Sequence, residues 1–254
     1  LLVEGWNTGW DENWCCTGDG ENFDFYHPHP DFDDIKVAKY AKEKGIRIVG
    51  HHETGTQIDN YESQLDSAFA YCQNRGIRVV KTGYVNDGSQ NIKRFDDKGV
   101  LHKEWHHGQY MVEHFRKVLE TAAKYQVGIV VHEPIKDTGL RRTYPNMLSR
   151  EGARGQEFNG FMPKDWNNKA NHTTILPFTR LLSSPMDYTP GIFNLKDYRY
   201  NSPDDRTINT SHHIPSTISK ELALYIVIYA PVQMAADLPD HYEGHPAFQF
   251  ILDV

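Results

Sequence analysis

Three stretches of the chain repeat one pattern of apolar and polar positions. In "DFDDIKVAKYAKEKGIRIVGHHE", Asp33 or Asp34 stands where an N-cap belongs, and Ile35, Ala38 and Ala41 recur on one helical face. Gly45 then stops the helix, and Ile46–Val49 reads as a short apolar strand. "YESQLDSAFAYCQNRGIRVVKTGY" repeats this with Leu65, Phe69 and Cys72 inward, Gly76 as the stop and Ile77–Val80 as the strand. "HGQYMVEHFRKVLETAAKYQVGIVVHEP" does so again, ending in the strand Val127–Val131.

Short, continuously apolar strands alternating with amphipathic helices imply parallel strands covered on both faces. Such a right-handed run is either a doubly wound sheet or a (β/α)8 TIM barrel. No Gly-x-Gly-x-x-Gly or P-loop pattern follows a strand, which weakens the nucleotide readings. Polar residues collect just past the strand ends instead: Glu4, His51, Glu53, Lys81, His132 and Glu133. In a barrel that rim is the active-site face, so an α/β barrel is the expected architecture. The cadence loosens between residues 159 and 219, a length suited to loops that shape a cleft. A helix with Leu222, Tyr225 and Ile226 inward then precedes Pro231.

Composition narrows the class. A chain of 254 residues with 39% hydrophobic content can bury one large core or two small ones. A formal charge of -7 without a basic cluster argues against nucleic acid as a partner. No apolar run approaches the roughly 20 residues of a membrane-spanning helix. Cys15, Cys16 and Cys72 lack metal or disulfide spacing and read as free structural thiols. The apolar starts and stops at "LLVEGW" and "FQFILDV" lead us to expect a piece of a longer protein.

The strand-end glutamates carry the chemistry. Glu53 and Glu133 each follow a histidine at a strand end, and "SREGARGQEFNGF" adds Glu151 and Glu157. One such glutamate is ordinarily a solvated cap. Several on one rim cost several kcal/mol unless a cation or shared protons relieve them, which favours a functional site. Glycoside hydrolysis uses two carboxyl groups in this way, one as acid and one opposite it. Metal-assisted hydrolysis is the other candidate, with His51, Lys81, His132 and the His pairs at 106–107 and 212–213 as residues that could hold a metal. Against a histidine-rich zinc site, His51 and His52 diverge by strand alternation, and no HExxH pattern occurs. Trp6, Trp10, Trp14, Trp105 and Trp166 suit a sugar platform, although core packing is the default for each.

In order along the chain, "VEGWNTGW", "GHHET", "KTGYV", "WHHGQYMVEHF", "VHEP" with "TGLRRTYPN", "EGARGQEF", "PMDYTPG" and "YIVIYAPVQMAADLPDHYE" closely resemble glycoside hydrolase family 97. The resemblance implies a calcium-dependent α-glucosidase or α-galactosidase of the periplasm of Gram-negative bacteria. It implies a barrel flanked by an N-terminal β-sandwich and a C-terminal β domain. Residues 1–254 then correspond to the catalytic barrel from about its second strand to its eighth. Retaining members carry a nucleophilic aspartate where this chain has Gly83, so the resemblance implies the inverting α-glucosidase branch. Inversion needs room for a water, with carboxylates about 6.5–9.5 Å apart rather than about 5–5.5 Å.

The same matching makes Glu157 resemble the general acid, and Glu53 with Glu133 the pair that activates water. Glu133, Glu151 and Glu157 resemble calcium ligands, a donor set that would relieve the crowded carboxylates. His51, Lys81 and His132 resemble contacts to sugar hydroxyls, with orientation of the glutamates as the structural alternative. The implied substrate is an α-linked gluco-oligosaccharide, cut from its end. Two departures stand out. The sandwich that supplies a further calcium ligand is not in this sequence, and the insertion "DGSQNIKRFDDKG" between Gly83 and Trp105 is longer than expected. The rival readings are another α-glycosidase of the family such as an α-galactosidase, a non-catalytic sugar-binding module, and a transition-metal hydrolase.

Overall fold

The computed structural model describes residues 1–10, 22–85, 92–159, 168–196, 199–200, 208–209 and 214–253. Two compact units divide the chain, Leu1–Arg150 and Glu151–Val254. Cys15, Cys16, Trp14, Trp166, His212 and His213 lie outside the described residues.

The first unit follows the sequence pattern. Helix α1 (Asp34–Glu43) leads to strand β1 (Gly50–Glu53), helix α2 (Ile58–Asn74) and strand β2 (Val79–Gly83). A hairpin of β3 (Ile92–Phe95) and β4 (Leu101–Glu104) intervenes. Helix α3 (Gln109–Lys124), strand β5 (Gly128–Val131), the short α4 (Leu140–Thr143) and strand β6 (Met147–Arg150) follow. The four strands pair in parallel in the order β1-β2-β5-β6, and Leu2 adds a parallel bridge to Val49.

Asp33 caps α1, its side chain accepting the Lys36 N–H. Asp34 is buried instead, paired with Arg75 and Tyr71. Gly45 and Gly76 hold the left-handed conformation that ends a helix, with φ of +71° and +74°. Gln126 takes that place after α3 with φ 59°, although it is not glycine.

Several sequence expectations need correction. The strands run later than their apolar letters suggest: β1 spans Gly50–Glu53 rather than Ile46–Val49, and β2 extends through Gly83. Parallel pairing from Gly50↔Val80 to Glu53↔Gly83 carries the ladder through polar residues buried at the strand ends. Ile35 is exposed, because buried Ala41 marks the inward face of α1.

Leu65, Phe69 and Cys72 of α2 pack with Met111, Phe115, Val118 and Leu119 of α3 over Val80, Ile129 and Val131. This core fixes where the ends of β1, β2 and β5 stand. The insertion before Trp105 forms the β3–β4 hairpin, packed on α2 and displaying Phe95 and Leu101 to solvent.

The second unit contains a 3-10 turn (Gln156–Asn159), α5 (His172–Ile175), and the short antiparallel pair β7 (Arg199–Tyr200) and β8 (Ile208–Asn209). Helices α6 (Ile218–Val227), α7 (Pro239–Tyr242) and α8 (Phe248–Asp253) complete it. Leu176, Met186, Tyr188, Leu224 and Ile228 form its core. Leu224 and Tyr225 are the buried apolar residues of α6, whereas Ile226 faces solvent, contrary to the sequence expectation. The architecture shown is mixed α/β with a parallel sheet. Closure into a barrel is not seen among the described residues.

Candidate active site

The register sets the first two rows of side chains. In β1, His51 and Glu53 share one face of the sheet and His52 takes the other. His51 pairs with Lys81 of β2, and Glu53 pairs with Gly83. His52 turns into the core, where Nδ1 lies 3.0 Å from the Tyr61 hydroxyl and Nε2 lies 3.8 Å from Cys72 Sγ. The two adjacent histidines therefore diverge, as alternation predicts, and do not converge on a metal. Burial pushes the His52 imidazole down to about 3, with the neighbouring His51 adding to it.

His51, Lys81 and His132 are all buried near the strand ends. Lys81 Nζ lies 3.3 Å from Glu4 Oε1, and His51 Nε2 is 3.8 Å from the same oxygen. Burial first, then the charges of Lys81 and His132, holds His51 well below its ordinary value and keeps it neutral. The Trp6 indole N–H donates to the His51 carbonyl at 2.7 Å and stacks on Tyr71, a core role for this tryptophan. Trp10 packs on Phe23 and the edge of His51, while Trp105 is exposed.

Glu53 is 3% exposed, and its carboxyl group is strongly shifted. Burial, then the charge of Glu133, pushes it up to about 8 against the pull of Lys81 and two backbone amides. Those amides are Gly55 at 2.8 Å and Val85 at 3.0 Å from Oε1. Its other oxygen occupies the space over Gly83. A Cβ added at Gly83 would stand 1.9 Å from Glu53 Oε2 and 2.9 Å from Cδ. A side chain at this position would require the Glu53 carboxylate to move.

Glu133 leaves the strand differently. Extended backbone would send it to the face opposite His132. It adopts φ 42° instead, a left-handed conformation disfavoured for a residue with a Cβ. Its Oε2 accepts the Tyr84 N–H at 2.8 Å, and its carbonyl oxygen lies 2.7 Å from His106 Nε2. Glu53 and Glu133 are thus held by successive amides of one turn, Tyr84 and Val85. A strained backbone, a buried carboxyl with a raised pKa and a second carboxylate beside it mark a functional site.

The second unit holds the other two predicted glutamates. Glu151 is buried, and its carbonyl accepts from Arg180 Nε at 3.0 Å. Glu157 is the second residue of the 3-10 turn and is exposed. Its loop is pinned by the Gln156 N–H to the Tyr188 carbonyl at 2.9 Å and by Asn168 Nδ2 to the Gly155 carbonyl at 2.8 Å.

Sequence reasoning placed Glu4 on the rim without giving it a role, and it missed the amides of Gly55, Tyr84 and Val85. Backbone donors leave no mark in the letters of a sequence. Only the glycine of "KTGY" hinted at the close approach. The pair at 106–107 is not a metal site in waiting, since His106 is buried against Tyr84 and Phe115 and braces the Glu133 backbone.

Taken together, a parallel sheet with paired carboxyl groups at its carboxyl end is the arrangement of an α/β hydrolytic site. Comparison with known proteins makes the assignment specific. A profile of the glycoside hydrolase 97 family matches residues 1–153, and the chain belongs to that family. Solved structures of a glycoside hydrolase family 97 enzyme from Pseudoalteromonas sp. strain K8 are similar to it at 49% identity and a TM-score of 0.88. They include complexes with panose and with acarbose, and each match covers 100% of this chain and 37% of the other.

A retaining alpha-galactosidase from Bacteroides thetaiotaomicron is 24% identical over 229 residues, 84% of this chain and 28% of that protein. A probable retaining alpha-galactosidase from Streptomyces bingchenggensis is 24% identical over 220 residues, 86% of this chain and 28% of that protein. The chain therefore spans less than a third of the length of these curated relatives.

Proposed function

We propose that this chain carries the catalytic residues of an inverting, exo-acting α-glucosidase that hydrolyses α-glucosidic bonds of oligosaccharides. The observation that carries the reading is the Glu53 carboxylate standing where a side chain at position 83 would be. A retaining mechanism needs a nucleophilic carboxylate against the anomeric carbon. Position 83, where retaining relatives are expected to place theirs, has no side chain, and the Glu53 carboxylate lies over it. The complexes of the Pseudoalteromonas relatives with panose and acarbose support an oligosaccharide substrate.

In this reading Glu157 gives its proton to the glycosidic oxygen as the bond from the anomeric carbon breaks. A water attacks that carbon from the opposite face and loses its proton to the Glu53–Glu133 pair. The product is the β-anomer. Burial beside Glu133 raises the proton affinity of Glu53, and a carboxylate of raised pKa is the stronger base once ionised. His51, Lys81 and His132 hold sugar hydroxyls, with Glu4 restraining the lysine through the 3.3 Å contact. The full site and the fold around it are proposed to be a (β/α)8 barrel.

Calcium is the proposed cofactor, held by Glu133, Glu151 and Glu157. Their donor set is all carboxylate oxygen, which suits a hard cation and not zinc. The mutual repulsion that raises Glu53 is also what a nearby cation relieves. Bound calcium would supply positive charge to the acid and base. A periplasmic location is proposed on the family resemblance.

A second reading, α-galactosidase, is supported by the names of the curated relatives at 24% identity. A panel of nitrophenyl α-glycosides offered to the full-length enzyme separates the two. Cleavage of the α-glucoside, abolished by chelation and restored by calcium, is the expected result. Preference for the α-galactoside overturns the substrate, and indifference to chelation overturns the metal.

A further inference from the structure

We infer that Tyr84, His114 and Glu62 form a positioning relay that fixes the two amides holding the Glu53 and Glu133 carboxylates. The inference rests on the reading of that pair as the water-activating groups, and extends it to residues outside the site.

The turn after β2 touches both carboxylates through backbone donors: Tyr84 N–H to Glu133 at 2.8 Å and Val85 N–H to Glu53 at 3.0 Å. Its position therefore sets the position of the pair. The Tyr84 side chain anchors that turn. It is fully buried, with its ring 4.9 Å from Phe115, 5.5 Å from His114 and 6.1 Å from His106, centroid to centroid.

The Tyr84 hydroxyl lies 2.9 Å from His114 Nε2, and His114 Nδ1 lies 2.8 Å from Glu62 Oε1. Lys117 closes the chain by donating to Glu62 Oε2. Burial, opposed by Glu62, lowers the His114 pKa and favours a neutral ring. A neutral ring must donate from Nδ1 to the acidic carboxylate, so Nε2 accepts the tyrosine proton. Each donor along the chain then meets an acceptor. The relay runs from a surface ion pair between α2 and α3 through the core to the end of β2.

A core network that only satisfies buried groups would show itself in stability alone. A positioning relay acts on turnover. In the full-length enzyme, Tyr84→Phe keeps the ring and removes the link, and Glu62→Gln loosens the relay from its surface end without opening the core. His114→Gln offers one acceptor and one donor in place of the imidazole, whereas His114→Leu offers neither.

We expect Tyr84→Phe and His114→Leu to lower kcat at least tenfold with KM within twofold, in protein whose circular dichroism is unchanged. Glu62→Gln should lose a few-fold, and His114→Gln should recover most of the loss. The loss should be equal for good and poor leaving groups, because it falls on water activation and not on the acid. Folded variants with reduced Tm but kcat within twofold of the parent overturn the relay. Should Tyr84→Phe and His114→Leu not fold, Glu62→Gln against the parent decides the matter by the same criterion. Each variant is compared with its parent on whichever aryl α-glycoside the parent cleaves. Failure of the pair assignment appears separately, as an α-anomeric product from the parent itself.

Discussion

Gly83 stands directly beside Glu53 across the β1–β2 pairing, and the glutamate carboxylate fills the space where a side chain at position 83 would project. The glycine and the acid are therefore one feature. Gly83→Ala puts a methyl group 1.9 Å from Oε2, so Glu53 must shift. We expect it to cost about 1–3 kcal/mol in stability, as overpacking does, and to cut turnover by more than tenfold. Most of the stability cost should vanish when Glu53 is also alanine. Denaturant unfolding of the two single variants and the double variant checks this coupling.

Glu53 is held at a cost. Its pKa of about 8 in the folded protein lies above the ordinary glutamate value of 4.5, so folding disfavours its ionised form. The corresponding stability is fully present below pH 4.5 and is lost as the pH rises toward 8. Glu53→Gln removes that penalty. The inactive variant should be more stable than the parent at pH 8 in the presence of chelator, by at most about 5 kcal/mol. The difference should shrink to nothing near pH 4.5. Thermal unfolding across that range measures it, and a constant difference would contradict the assignment.

Much of the first unit was legible in the sequence because its helices and strands alternate with clear stops. Gly45 and Gly76 end α1 and α2 where the pattern placed them. What the letters hid was the polar continuation of each strand. "GHHE" does not read as a strand, yet all four residues are buried and paired because parallel neighbours satisfy their backbone. Glu53 and Glu133 were legible as strand-end carboxyls. Their coupling through Tyr84 and Val85 was not, since it runs through amides. Nor did the sequence show that Glu133 would adopt φ 42°. In the second unit, little regular periodicity meant little to read, and the inward assignment of Ile226 failed because α6 turns Leu224 and Tyr225 inward instead.

His52 makes acid sensitivity a property of the core. Its pKa of about 3 lies below the ordinary 6.5, so its contribution is present above pH 6.5 and is lost as the pH falls toward 3. His51 and His114 shift in the same direction. His52→Gln should flatten the fall in Tm between pH 6.5 and 4 while lowering stability at pH 7, where the packing against Tyr61 and Phe69 is lost. A parallel fall in variant and parent would show that protonation of His52 is not the cause.

The role of Glu157 is tested by leaving-group chemistry. Glu157→Gln cannot donate the proton that a sugar leaving group needs, and general acid catalysis is worth about 100- to 10,000-fold. Turnover of maltose should fall by that order, while an α-glucoside with an activated aryl leaving group should lose far less. Equal losses on the two substrates would remove Glu157 from the acid role.

The central claim is that Gly83, with Glu53 lying over it, defines an inverting site. The most direct measurement is proton NMR of maltotriose hydrolysis by the full-length enzyme with calcium, recorded before mutarotation scrambles the product. The account predicts that β-glucose appears first. If α-glucose appears first, a nucleophile acts in the site, and the roles given to Glu53 and Glu133 are wrong.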